Sequence, residues 1–90
     1  MNTGTIKEVF KTIDARGLQP PAPMMRALEA LELLPRGQKL IMLIHCEPRP
    51  LFRVLKHNGF DYRCKFIPEG YFEVAMWRAV DTFATAADLE

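Results

Sequence analysis

Reactive side chains crowd into one short stretch, His45-Cys46-Glu47, placed between an apolar run and a pair of prolines. Imidazole titrates near neutrality and is a good nitrogen ligand, so His45 can hold a metal or haem iron, or pass a proton. A thiol near a helix start and beside a cation is favoured as thiolate, which makes Cys46 a candidate nucleophile or persulfide carrier. Glu47 opposes that thiolate. The plainer readings are a histidine that hydrogen-bonds its own corner and a cysteine that serves as a small apolar side chain. Adjacent His and Cys supply only part of a tetrahedral set, and with no CxxC or second Cys/His cluster the spacing argues against a structural zinc site. Arg16 and Arg49 stand near helix starts, where an anion is favoured, and the competing reading is an ion pair with Asp14 or Glu47. Paired catalytic carboxylates, a Ser/His/Asp order and phosphate-binding glycine motifs have no recognisable spacing here.

These groups need elements to place them. Val9-Phe10-Lys11-Thr12-Ile13-Asp14 is β-branched and aromatic enough for a first strand. It runs into Ala15-Arg16-Gly17-Leu18-Gln19-Pro20-Pro21-Ala22-Pro23, a corner where glycine permits a positive φ and Pro23 suits the first turn of a helix. Met24, Ala27, Leu28, Leu31 and Leu34 then recur at helical spacing, with Arg26, Glu29 and Glu32 on the other side, until Pro35 and Gly37. Leu40-Ile41-Met42-Leu43-Ile44 reads as a strand buried on both faces. After the second corner, His45 to Pro50, a helix carries Leu51, Val54 and Leu55 on one face and stops at Asn58-Gly59. Lys56 and His57 complement its dipole, so His57 needs no functional explanation. Phe60, Tyr62, Cys64 and Phe66 alternate with charged residues, Pro68-Glu69-Gly70 turns the chain, and Tyr71 to Arg78 returns as a second arm. Alternation points Cys64 at the helices, as a core residue.

The order β-α-β-α-β-β folds as an α+β two-layer sandwich, with a mixed four-stranded sheet and two helices on one face. Residues 1–8 read as a loose N-terminus, 9–78 as the domain, and 79–90 as a weak helix or frayed tail. The other sheet face has nothing left to cover it. Tyr71, Glu73, Ala75 and Trp77 point there, joined by Ile41, Leu43 and Phe10, so Tyr71 and Trp77 mark a partner surface or dimer contact unless the tail packs over them. Monomer and homodimer both fit this pattern.

Composition narrows the classes further. Ninety residues make one domain, and twelve basic against eleven acidic side chains give no global pull toward polyanions. No apolar run approaches the roughly 20 residues of a membrane span, and no secretory leader opens the chain. Two cysteines do not make a disulfide framework, so reduced thiols and a cytoplasmic location are expected. The helices are read as lacking a basic stripe interleaved with exposed aromatics, which argues against nucleic acid.

The element order and the first corner resemble the TusA/SirA-like family of small sulfur-carrier proteins, roughly from Val9 to Arg78. In that family the corner reads Arg-Gly-Leu-x-Cys-Pro-x-Pro, and its cysteine carries a persulfide between partners. Arg16-Gly17-Leu18, Pro21 and Pro23 match, while Pro20 stands where the cysteine belongs. Proline has no nucleophile, so persulfide transfer at this position is excluded. A nearer likeness is to an uncharacterised branch with a proline-rich first corner and a His-x-x-Pro-x-Pro-Leu second corner, here His45, Pro48, Pro50 and Leu51. That branch is associated with respiratory and nitrogen-oxide redox genes, and the resemblance implies an accessory role there.

Both corners follow the carboxyl ends of neighbouring parallel strands, so Arg16, Gln19, Pro20, His45, Cys46, Glu47 and Arg49 are expected on one rim. The reading is a noncatalytic accessory domain that binds a protein partner or a small redox ligand there. No cofactor is specified by the sequence. The alternatives are a persulfide carrier acting through Cys46 and a metal or haem binder acting through His45.

Overall fold

The computed structural model describes residues 7–81. The elements are β1 (Glu8–Asp14), α1 (Ala22–Glu32), β2 (Gln38–Ile44), α2 (Arg49–His57), β3 (Phe60–Ile67) and β4 (Tyr71–Arg78). Their order is the one the periodicities predict. The N-terminal segment before residue 7 and the tail beyond 81 lie outside the described residues, so the expectations for them are carried no further. No helix in the described part is long and apolar enough to cross a membrane.

One four-stranded sheet has the order β1-β2-β4-β3. β1 and β2 are parallel, and β4 runs antiparallel to both β2 and β3. Sequence reasoning gives these directions but not the lateral order. Side chains supply the reason for it: Val74 and Met76 of β4 are completely buried, while Arg63 and Lys65 of β3 are exposed. A strand with charged residues tolerates the edge, and an apolar one gains from the middle.

Register divides the two faces. Leu40, Met42 and Ile44 pair with Met76, Val74 and Phe72, and these point at the helices together with Tyr62 and Cys64 of β3. They form one core cluster with Ala27, Ala30 and Leu31 of α1 and Leu51, Phe52 and Leu55 of α2. Both helices therefore cover the same face. Ile41 is buried too, yet stands outside that cluster, on the opposite face opposite Ala75. Phe10 does not join it there. The β1 register shifts between Val9 and Lys11, and this irregularity leaves Phe10 packed against the helix-side core.

The helix ends follow from local chemistry. Pro23 and Pro50 sit at the second position of α1 and α2, where their missing N–H groups have no intrahelical partner to lose. α2 closes on Asn58, whose side-chain Nδ2 donates to the Val54 carbonyl at 2.8 Å, and Gly59 follows at φ +85°. Replacing Met42, fully buried at the sheet centre, with alanine is expected to cost about 2–5 kcal/mol in urea unfolding. Met25→Ala, on the solvent side of α1, is expected to stay within about 0.5 kcal/mol.

Candidate functional site

The first corner is a tight turn followed by a proline step. The Ala15 N–H donates to the Leu43 carbonyl at 2.8 Å, extending the parallel ladder one residue past β1. Leu18 N–H closes a turn onto the Ala15 carbonyl at 3.2 Å, with Gly17 at φ +88° in the position that demands it. Ala22 N–H then reaches back to the Gln19 carbonyl at 2.9 Å across the cis Pro20–Pro21 peptide, and α1 begins. The second corner is shorter: Arg49 N–H donates to the Glu47 carbonyl at 3.0 Å and α2 starts at once.

Because β1 and β2 are parallel neighbours, both corners emerge at the same end of the sheet, as expected. The β3–β4 turn lies there too, since Ile44 pairs with Phe72 and Ile67 with Tyr71. Arg16, Gln19, Pro20, His45, Cys46, Glu47 and Arg49 are all exposed. Among the described residues no polar or charged residue is buried, and no group of three or more His, Cys, Asp and Glu is arranged to hold a metal.

Each corner arginine is held by the carboxylate two residues before it. Arg16 Nε and Nη2 donate to Asp14 at 2.9 and 2.8 Å, and the Arg16 backbone N–H adds a third bond at 3.1 Å. These bonds pull the Asp14 carboxyl down to about 2, the side-chain bond first and the backbone bond next, with a smaller contribution from the His45 charge. Arg49 Nε donates to Glu47 at 3.2 Å. The ion-pair reading of both arginines is therefore the observed one.

Tyr71 and Trp77, grouped by the sequence on one open face, do share that face but not one place on it. Six positions along β4 separate them by about 20 Å. The Arg16 guanidinium lies 4.6 Å from the Tyr71 ring centre, which ties Tyr71 to the rim. The Lys7 ammonium lies 5.2 Å from the Trp77 ring centre at the far end. Both aromatics thus present a cation, and the face is not a bare apolar patch.

The two thiols differ. Cys46 is exposed at the second corner. Cys64 faces the helices as predicted, but it is only half-buried: it packs against the core and also lines a hollow of about 750 Å³ between α2 and β3. Burial, and then the nearby Glu47 charge, push its thiol pKa up.

That hollow is what sequence reasoning missed. Arg49, Arg53 and Lys56, spaced i, i+4 and i+7, line it with His57 from α2 and Arg63 from β3. Over its floor Phe52 and Tyr62 stack at 4.1 Å and 7° between planes. α2 carries a basic stripe, but no exposed aromatic interleaves it, since Phe52 is buried. The stripe's signal was the spacing itself, masked by a charge balance near zero.

The comparisons agree with this geometry. Residues 12–78 match the family described as uncharacterized conserved protein DUF2249. The chain belongs to this family. It is also similar to the solved SirA-like protein from Desulfitobacterium hafniense, with a TM-score of 0.68 and 26% identity, covering 74% of this chain and 95% of that one. A search of the curated proteins finds no match. The fold of this DUF2249 chain is thus SirA-like, with Pro20 at the corner position that the family resemblance assigns to the sulfur-carrying cysteine.

Two outcomes follow. In an NMR titration the Asp14 carboxyl should titrate near 2, and in Arg16→Ala it should return toward its ordinary 3.8. The sign follows from the lowered value: the contribution to stability is complete above 3.8 and disappears as pH falls through about 2. Brief iodoacetamide treatment at neutral pH should label Cys46 well before Cys64, read by peptide mass mapping.

Proposed function

We propose that this chain is a noncatalytic accessory domain that binds a partner protein through the rim formed by its two proline corners. The observation that carries the reading is the character of the rim. Its polar groups are exposed and its arginines are neutralised by local carboxylates. Catalytic groups are more often enclosed and perturbed by burial, whereas an exposed surface held in shape by short turns suits contact with another surface. The Arg16 side chain is fixed by two hydrogen bonds to Asp14 and lies over the Tyr71 ring, so little side-chain entropy remains to be lost on binding.

Pro20 supports the same reading from the negative side, since the carrier position of the resembled family has no sulfur here. A small redox ligand is the other occupant the rim suits, and a metal or haem iron held by His45 is a separate alternative. The association of the resembled branch with respiratory and nitrogen-oxide redox genes gives the setting in which such a partner is expected. The Cys46 carrier reading draws its support from one observation, the exposure of that thiol at a helix start.

Mass spectrometry separates these readings. Protein purified without reductant is measured intact under denaturing conditions and again under native conditions. A bare mass in both, unchanged after incubation with a persulfide donor and reducing agent removal, is the expected result. An added sulfur that maps to Cys46 and vanishes in Cys46→Ser would replace the proposal with sulfur carriage. A mass present only in the native spectrum and lost in His45→Ala would replace it with ligand binding.

A further inference from the structure

Among the described residues β3 pairs only with β4, so its outer edge offers a row of unpaired backbone N–H and C=O groups along Phe60–Ile67. Two hollows flank that edge, one on each face of the sheet, and Tyr62 and Arg63 line both. On the helix side the hollow of about 750 Å³ is bordered by Arg49, Arg53, Lys56 and His57, with Glu47 as its one carboxylate among the described residues. On the open side a hollow of about 500 Å³ is bordered by Lys7, Lys39 and Trp77, with Asp61 as its one carboxylate among the described residues. Glu47 is taken by Arg49, and Asp61 by Lys56 at 2.6 Å. Arg53 and Arg63 carry no ion pair within the described residues. The edge is therefore a strand template between two basic recesses.

We infer that the β3 edge is a docking site for an extended acidic peptide segment of a partner protein, which adds to the sheet beside β3 and places alternate side chains in the two hollows. Strand addition of this kind takes affinity from main-chain hydrogen bonds and specificity from pockets that accept every second side chain. Charge selects the occupant. A second copy of this chain would bring a basic recess against a basic recess, and pairing about Cys64 would set Arg63 opposite the partner copy's lysine at the position of Lys65, like against like. Single-stranded nucleic acid would need open aromatic faces on which to stack, but Phe52 and Tyr62 stack on each other and Trp77 is faced by Lys7. This site is independent of the rim reading, and meets it only at Glu47 and Arg49.

The probe is an acetylated, amidated octapeptide of repeating Glu-Glu-Val-Val, which carries glutamate on both faces of a strand, titrated into the full ¹⁵N-labelled chain at low salt. Binding should shift and protect every second amide from Phe60 to Ile67, leave Gly17 and His45 unmoved, and weaken by roughly tenfold in Arg53→Glu and in Arg63→Glu. Both arginines are exposed, and circular dichroism of each variant confirms the fold. The matching lysine–valine peptide should not bind. The inference is overturned if the glutamate peptide leaves the β3 amides unshifted at millimolar concentration, or if the charge reversals do not weaken it. Tighter binding of an oligothymidylate at these residues would also overturn it, in favour of a nucleic-acid surface. Concentration-dependent dimerisation through β3 without peptide would do so in favour of a second copy.

Discussion

Burial of β2 on both faces is the constraint from which the rest of this structure follows. Leu40, Met42 and Ile44 enter the helix-side core, while Ile41 is buried on the reverse of the sheet. A strand like this must be flanked on both sides, and β1 and β4 supply the flanks. Parallel pairing with β1 then fixes where both corners emerge. Antiparallel pairing with β4 brings the β3–β4 turn to the same end and pushes β3 out to the edge. The rim and the exposed strand are thus two products of one packing requirement.

Charge is managed differently in the two places. At each corner an acid precedes an arginine by two residues, Asp14 before Arg16 and Glu47 before Arg49, and each pair closes on itself. Such exposed pairs add little to global stability, but a bidentate one fixes the direction of a side chain. Beside β3, among the described residues, the basic groups of α2 exceed the carboxylates that can answer them. A protein with nearly balanced charge can therefore still present a one-signed surface, because sequence neighbours neutralise each other at the corners while folding gathers Arg53 and Arg63 beside β3 with no ion pair among the described residues.

Much of the fold was legible in the residues. Alternation from Phe60 to Phe66 and helical spacing from Met24 to Leu34 are local patterns, and local patterns report local structure well. The lateral order of strands is not local, and it became readable only once the burial of β4 could be compared with the charges of β3. Phe10 was assigned to the wrong face because strict alternation is counted through it, and the register irregularity in β1 breaks that count. The rim was legible because turn chemistry and parallel topology together dictate its position. The α2 groove is not legible locally, since a third of its lining comes from β3 and only the folded chain brings the two together.

At the end away from the corners, Glu8 pairs with Gln38, and the Gly37 N–H donates to the Asp81 carboxylate at 2.9 Å. The entry into β1 and the exit from β4 therefore meet at one pole of the sheet, opposite the rim. A tether attached at either place would grip the domain by its base. The corners would then face outward like the jaws of a held tool, and immobilisation or labelling through either of these points leaves them unobstructed.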